Sequence, residues 1–567
     1  MKNLLLFLTL FLCFGSAIAV AQQLDWDWAA SGVLPGNQGE FTSRDMAVDS
    51  AGNVYICGEY TDQPGSYYSD LFLAKYNNAG ALVWQKIVGS ARRDQATAIN
   101  LDKSGNPYIA GTYGDIFMPD TANFDISFGA YTLQNRGWGD VFVVKYDPAG
   151  DVLWAKSFGG PYRDIARGIS VDEIENVYIT GSFLSPSVQD TSWFGNTGLT
   201  SEGDVDAFFA MLSPSGTVIW ARNAGGHSND HGFSVKVGSD GFLYLAGMFD
   251  DYIVFDSQTT TSLSSGFMGG DVFIAKYDTS GTRIWVRQIG GAAAPPNPGA
   301  FPGILDCRDL SLSDDGDIYI AGYYEECTLQ FHNGTQLNSF QETDVFVAKY
   351  SPSGDLKWAK GFGGGSEDYC HGLAVDEAEN VYLTGEFGVG LKFGADSLWG
   401  GNLSNIFLAK LDSSGNSIWA IEVSGQGGEH AYAVTCMPPD NTVYITGPTV
   451  GAPLTFGTHT VNQNGEATFF LAKASGYSNS VAHSPQLLTP LHAFPNPVKH
   501  DAVLTIRSSS RSGTIRLLDP LGKLLYESNA GQSVHQVDLS TLSLTPGTYF
   551  LRLQTPAGSQ TQKLLIY

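Results

Sequence analysis

NVYITG, at Asn176–Gly181, is the phrase from which the fold of this chain is read. It recurs as NVYICG (Asn53–Gly58), NPYIAG (Asn106–Gly111), FLYLAG (Phe242–Gly247), DIYIAG (Asp317–Gly322), NVYLTG (Asn380–Gly385) and TVYITG (Thr442–Gly447). A second phrase follows each copy: DLFLAKY (Asp70–Tyr76), DVFVVKY (Asp140–Tyr146), DAFFAML (Asp206–Leu212), DVFIAKY (Asp271–Tyr277), DVFVAKY (Asp344–Tyr350), NIFLAKL (Asn405–Leu411) and TFFLAK (Thr468–Lys473). Both phrases are short, β-branched and aromatic, alternate with the period of a strand, and are bounded by glycine-rich turns. Seven copies of each mark a repeat architecture.

Six of the second phrases run through a tight turn, such as DPAG (Asp147–Gly150) or SPSG (Ser213–Gly216), into a strand carrying Trp84, Trp154, Trp220, Trp285, Trp358 or Trp419. The seventh has no tryptophan after it. Trp28, in DWAASG near the start of the chain, matches those tryptophan strands and is expected to supply the missing outer strand of the last unit. Closing a ring in this way removes sheet edges. The innermost strand of each unit is a segment such as ATAINLD (Ala96–Asp102), with small residues (Ala96, Ala98) on one face and large ones (Ile99, Leu101) on the other. Small faces meeting large ones across neighbouring units pack without voids. The expected fold is all-β: a seven-bladed β-propeller over residues 22–474, with the N-terminal strand closing the last blade.

Within the repeat, GEFGVGLKFGADSLWGGNLSNIFLAK (Gly385–Lys410) resembles the bacterial β-propeller repeat family known as SBBP, a likeness that covers roughly residues 24–475. The resemblance implies the fold and no single activity. Blade 1 departs from it, because Glu59–Ser69 is too short for the usual excursion. KYDPAGDVLW (Lys145–Trp154) is also similar to the tryptophan-docking turns of quinoprotein propellers, but its aspartate is displaced by one and the unit count differs. The tryptophans are therefore read as packing between blades.

After Lys473 the pattern changes. A linker, 475–490, leads to a segment, 491–567, carrying FPNP (Phe494–Pro497), LDPLGK (Leu518–Lys523), LSLTPGTYFLRL (Leu542–Leu553) and a final KLLIY (Lys563–Tyr567). Its alternation points to a small Ig-like β-sandwich. In the order and spacing of these elements the segment is similar to the type A C-terminal sorting domain of the type IX secretion system of Bacteroidetes-type bacteria. The resemblance rests on Phe494, Pro495, Asn496, Pro497, Gly522, Lys523, Gly547 and Tyr549. It implies the secretion machinery as a partner and passage across the outer membrane, with the cargo then anchored or released.

The first 21 residues read as a signal peptide: Lys2, the apolar stretch Leu4–Phe14, and a small-residue cleavage site at Ala19-Val20-Ala21. No integral membrane span is expected after processing, and the chain should pass through the periplasm to the outer cell surface or the medium. Five cysteines follow, Cys57, Cys307, Cys327, Cys370 and Cys436, an odd number for an oxidising compartment. Cys307 and Cys327 should flank one hairpin and are the favoured disulfide pair.

Of 567 residues, 31 are basic and 57 acidic, a net charge of −26 that repels phosphate backbones and anionic headgroups and excludes nucleic acid as a partner. With 43% hydrophobic residues and 67 glycines the chain is well packed and turn-rich, which excludes disorder.

The tight turns lie at one end of the ring. The long connections after each NVYITG phrase and the glycine-containing connections after each tryptophan lie at the other, where function is expected. An acidic residue recurs at the start of each inner strand: Glu40, Asp94, Asp164, Asp230, Asp306, Asp368 and Glu429. Recurrence fits a structural duty, accepting backbone N–H bonds at the turn. The alternative is a ring of carboxylates at the channel mouth that binds a cation or a polyhydroxyl ligand. Non-repeating residues are better binding candidates, because symmetry does not demand them. Near the same mouth fall Arg44, Arg167, Arg308, His231, His371, His430 and Tyr432.

His227 and His231 have His-x3-His spacing without a third ligand, and DDGD (Asp314–Asp317) lacks the later bidentate glutamate of a calcium loop. No metal site, cofactor or catalytic residue is assigned, calcium being the one cation the acids would take. The function expected is that of a secreted or cell-surface binding protein whose ligand is a glycan or a protein. The alternative is a polysaccharide-active hydrolase or lyase, which needs two mouth carboxylates roughly 5–10 Å apart.

Overall fold

The computed structural model describes residues 23–567 except 33–38, 64–65, 115–123, 264–269, 294–304, 326, 340–341, 395, 401–403, 424, 426, 439–441, 451–452, 462–467, 479–491, 495–497, 501, 508–513, 519–522, 530–533, 543 and 556–557. The signal segment 1–21, linker residues 479–490, and Pro495, Asn496, Pro497 and Gly522 of the tail motif lie outside the described residues. The chain separates into two compact units, one spanning Leu24–Gly476 and the other containing Tyr477–Tyr567. No helix among the described residues is long and apolar enough to cross a membrane.

The larger unit is a seven-bladed β-propeller, each blade having four antiparallel strands. In blade 3 the order outward is Asp164–Val171, Val177–Leu184, Val205–Leu212 and Val218–Gly225. Contacts explain the residues that repeat. The phrase tyrosine is fully buried in every blade, as Tyr55, Tyr108, Tyr178, Tyr244, Tyr319, Tyr382 and Tyr444. In six blades its ring meets the tryptophan of its own blade, with centroids 6.0 Å apart for Tyr55–Trp84 and 6.5 Å for Tyr244–Trp285. The lysine of the second phrase lies over the same tyrosine, 4.8 Å away for Lys145 on Tyr108. It also reaches the aspartate of the tight turn, 3.3 Å from Lys145 to Asp102 and 3.0 Å from Lys349 to Asp317. Pairing and stacking together offset what burying the ammonium costs.

Five of the six tryptophans that follow the second phrase fasten their blade to the next. Trp84 Nε1 donates to Pro148 O at 3.2 Å, Trp154 to Pro214 O at 3.0 Å and Trp220 to Thr279 O at 2.9 Å. The ring also covers the turn glycine: a Cβ on Gly216 would stand 3.0 Å from Trp154. That glycine holds φ at 78°, a conformation glycine alone adopts without cost.

The N-terminal strand Gln23–Ser31 is the outer strand of blade 7, paired with Thr468–Ser478. Trp28 repeats the fastening across the seam, donating from Nε1 to Asn78 O of blade 1 at 3.0 Å and covering Gly80. Inside the seam Phe72 of blade 1 stacks on Phe469 of blade 7 at 5.3 Å, among Phe41, Met46 and Tyr444. Both the blade count and the closing strand agree with the reading of the sequence.

Blades 2–7 each insert a short hairpin between their second and third strands, such as Ser192–Phe194 with Thr197–Leu199. Blade 1 has none among the described residues. The hairpin phenylalanine fills the space beside the third strand, Phe194 meeting Phe208 at 4.6 Å and Phe393 meeting Phe407 at 5.4 Å. In blades 4, 5 and 6 the hairpin also pairs with the outer strand of the preceding blade.

That pairing overturns the expected Cys307–Cys327 disulfide, since all five cysteines are free. Cys307 sits on an inner strand opposite Gly322. Cys327 begins the hairpin strand Cys327–Phe331, which has left its own blade to extend the sheet of blade 4. Both thiols are buried in one apolar cluster instead.

The second unit holds two antiparallel sheets. One contains His492–Phe494, Val503–Arg507 and Val534–Asp538; the other contains Leu524–Asn529, Thr514–Leu518, Gly547–Thr555 and Gly558–Ile566. Leu504 and Ile506 of the first share an apolar cluster with Ile515, Leu517, Leu551 and Leu564 of the second. Tyr549 is buried in that cluster, and its hydroxyl donates to Thr545 O at 2.9 Å, pinning the turn that contains Gly547.

Candidate binding channel

The inner strands of six blades carry a β-bulge at the same point, between Ser43 and Asp45, Ala96 and Ala98, Ala166 and Gly168, Gly232 and Ser234, Cys307 and Asp309, and Cys370 and Gly372. The residue skipped by the ladder is turned out of the sheet. In blade 7 Tyr432 holds the corresponding place, ahead of Ala433–Met437. The residues so placed, Arg44, Thr97, Arg167, Phe233, Arg308, His371 and Tyr432, line a cavity of about 410 Å³ in the central channel.

The bulge also accounts for the glycine that ends each repeated phrase. A Cβ on Gly181 would come within 1.9 Å of Ile165 O, and one on Gly385 within 1.9 Å of Tyr369 O. The bulged backbone occupies the space a side chain would need.

Arg44 lies over Tyr432, 5.5 Å from ring centroid to guanidinium carbon, and is paired with Glu59 at 2.5 Å. Glu59 also takes Arg93 at 3.1 Å and Gln95 at 2.7 Å. Burial works against its charge, but the two arginines prevail and hold the carboxyl below its usual range. Arg308 is paired with Asp306 at 2.7 Å and donates to Tyr323 Oη at 2.7 Å. Arg167 and Arg308 share one platform, Phe233, at 5.3 and 5.5 Å. The Nε of Arg167 is buried with no hydrogen-bond partner among the described residues. Burial first, and Arg308 second, bring its guanidinium down to about 10.

In blade 6 Glu386 is held between two imidazoles, 3.3 Å from His371 Nε2 and in an ion pair with His430 Nδ1. Burial opposes its charge, yet the imidazoles bring it to about 2, so it is a fixed carboxylate. His430 is raised by that carboxylate, whereas His371 is lowered by burial. His231, beside Phe233 at 6.0 Å, is pushed down to about 3 by burial and then by Arg167, which makes it a neutral ring. Deeper in the channel, Asp45 accepts from Ile99 N of blade 2 at 2.9 Å and Asp309 from Leu373 N of blade 6 at 3.1 Å. Lys236 stands near both.

The structure therefore brings Arg44, Arg167, Arg308, His371 and Tyr432 into one cavity, with His231 and His430 against its wall. Five of the seven recurring acids lie elsewhere. Asp94, Asp164, Asp230, Asp368 and Glu429 are completely buried behind the wall. Asp94 accepts from Ser90 N, Asp164 from Gly160 N at 2.8 Å, Asp230 from Gly226 N at 2.7 Å and Glu429 from Gly427 N at 2.8 Å. Burial raises each of them, Asp94 to about 7, Asp368 to about 8 and Asp230 to about 9. Sequence reasoning missed Phe233, Glu59, Tyr323 and Glu386. The last three share a signal, for each is the residue directly after the phrase glycine, facing the start of an inner strand.

The tail belongs to a known family. Residues 492–567 match the secretion system C-terminal sorting domain. A sorting domain of this kind addresses its chain to the type IX secretion system, for export to the cell surface or beyond. The propeller unit has more distant relatives. The chain is 22% identical over 568 aligned positions to an uncharacterised WD repeat-containing protein, L264, of Acanthamoeba polyphaga mimivirus, covering 86% of this chain and 40% of that one. It is 24% identical over 389 positions to the regulatory protein FlaEY of Caulobacter vibrioides, covering 58% and 38%. The chain thus spans about two fifths of the length of these curated relatives. Among solved structures it overlaps a virginiamycin B lyase from Staphylococcus aureus (9% identity, 78% of this chain and 98% of that one, TM-score 0.34) and Sqt1 from Chaetomium thermophilum (9%, 78% and 87%, TM-score 0.35). Such scores carry nothing about activity.

Proposed function

We propose that this is an exported binding protein of the SBBP type, delivered by its signal peptide and sorting domain to the outer surface, whose propeller presents its channel mouth to a glycan or protein ligand. The observation that supports this reading is the contrast between two sets of positions. Glycine, tyrosine, lysine and tryptophan recur around the ring because every blade needs them. The bulge positions carry three arginines, a threonine, a phenylalanine, a histidine and a tyrosine. Ring packing does not demand that variety, and a rigid scaffold is the setting in which varied side chains make a selective site. Of the carboxylates at the mouth, Glu59 and Asp306 are held by arginines and Glu386 by two imidazoles, which suits recognition. The purified full-length protein, incubated with a panel of polysaccharides and extracellular proteins, should retain one class saturably and leave it intact. Turnover of a polysaccharide would instead assign the mouth to the hydrolase or lyase class.

A further inference from the structure

The charge of the channel mouth runs against that of the chain. The whole sequence carries a net charge of −26. The cavity is nevertheless lined by Arg44, Arg167, Arg308 and Lys236, against Asp45 and Asp309. Most of these cations are answered: Arg44 by Glu59, Arg308 by Asp306, and Lys236 by the two aspartates near it. Arg167 is not. Its Nε is enclosed with no hydrogen-bond partner among the described residues, and the charges that act on it are led by Arg308, ahead of Asp306, whose carboxylate is already paired with Arg308. A desolvated guanidinium with no ion pair of its own is costly, and folding alone gives no reason to keep one.

Its surroundings indicate what completes it. Phe233 carries Arg167, Arg308 and His231 around a single ring, and the Nδ1 of His231 also lacks a partner. A guanidinium offers a fixed fork to an oxyanion, a neutral imidazole offers a hydrogen bond to a hydroxyl, and the aromatic rings offer a flat apolar wall. A cavity of about 410 Å³ falls in the range of small-ligand sites, roughly 300–1,000 Å³. We propose that the channel mouth binds an acidic sugar unit, a carboxylate or sulfate carried on a hydroxylated ring, with Arg167 as the anchor of the oxyanion and Phe233 as the surface beneath it. This rests on the binding reading of the same channel.

The test uses the full-length protein and its Arg167→Gln variant, with glucuronate, glucose 6-sulfate, glucose and glutamate as probes in titration calorimetry and thermal melting. Glucuronate or glucose 6-sulfate should bind saturably, and glucose should bind at least about tenfold more weakly. The R167Q variant should lose at least about tenfold in affinity for the acidic sugars while melting at a higher temperature than the parent, because an unpaired buried charge has been removed. A lower melting temperature for R167Q would make the arginine a structural residue and overturn the proposal. So would equal affinity for glucose and glucuronate. Glutamate binding as tightly as glucuronate would overturn the sugar part and leave the oxyanion part standing. If none of these probes binds while a polymer from the panel is still retained, the acidic-sugar proposal fails and the binding reading survives; loss of both sinks both.

Discussion

At Gly181 a hydrogen atom in place of a methyl group decides where Arg167 points. The two residues are linked through the bulge between Ala166 and Gly168, which exists only because the facing strand leaves room for Ile165 O. Gly181→Ala would set a Cβ 1.9 Å from that oxygen and 2.8 Å from the Phe208 ring, with neither able to retreat from a packed blade. The expected cost is about 2–3 kcal/mol, in the range of overpacked cores. Thermal unfolding measures it, and retention of the parent melting temperature would show that the bulge can be ironed out. The glycine was legible in the sequence at every copy. The bulge was not, because ATAINL and its counterparts read as uninterrupted alternation, and only the register against the next strand reveals the skipped residue. Arg167 and four of its equivalents, Arg44, Arg308, His371 and Tyr432, were for that reason legible as irregular residues near the mouth, but not as one ring, while Thr97 and Phe233 were hidden among ordinary strand residues.

At the scale of the connections, the glycines after each tryptophan strand cover buried acids. A Cβ on Gly159 would stand 2.2 Å from Asp140 and 2.8 Å from Asp164, so two carboxyls from different blades meet under one loop. Gly225 lies against Asp206 in the same way, with Asp230 accepting from the next residue. The recurrence of these acids was plain in the sequence; their complete burial was not, since a loop that closes over a side chain leaves no periodic trace. Burial raises their titration above that of an unfolded aspartate, Asp368 to about 8 and Asp230 to about 9. The folded state therefore binds more protons than the unfolded one, and stability that is complete below the unfolded value near pH 4 is lost as pH rises through the folded values. Between pH 7 and 9, above the histidine range, the melting temperature should fall. Asp230→Asn should remove one proton from that dependence, about 1.4 kcal/mol per pH unit at most. A melting temperature that is flat or rising over that window would contradict the assignment.

For the whole molecule, the seven-fold repeat made the propeller legible almost completely, because each blade restates the same packing problem and solves it with the same residues. Trp28 was legible as its closing element by being the one tryptophan strand without a preceding phrase. Half-buried rather than fully enclosed, it should contribute somewhat less than a core aromatic. Trp28→Ala is expected to cost about 2–3 kcal/mol, against roughly 3–5 for full burial. Trp84→Ala, which removes the same kind of fastening between blades 1 and 2, is the internal comparison, and a much smaller effect at Trp28 would mean that the seam is held by Phe72 and Phe469 alone.

The sorting domain makes a separate prediction. Ending the chain after Ser478 leaves all seven blades with their strands, so the shortened protein should melt as the propeller does and accumulate in the periplasm. Surface labelling at the level of the full chain would refute the address, and collapse of the propeller would refute the separateness of the two units.

The seam has a consequence in time. Ser475 and Asp27, bonded at 2.6 Å, are 448 residues apart in the chain. A ribosome releases Gln23–Ser31 before any blade and the strand that receives it after the first six, so this segment must wait through their synthesis before it is seated. Length itself is a mild obstacle, since each doubling of a loop adds only about 0.6 kcal/mol to closing it. Waiting is the harder demand, because a lone strand is a partner for any open sheet edge, including the last blade of a neighbouring copy. Completion of the ring is therefore also a record that the whole propeller has been made, and a chain cut short anywhere before Thr468 holds a first strand with nowhere of its own to go.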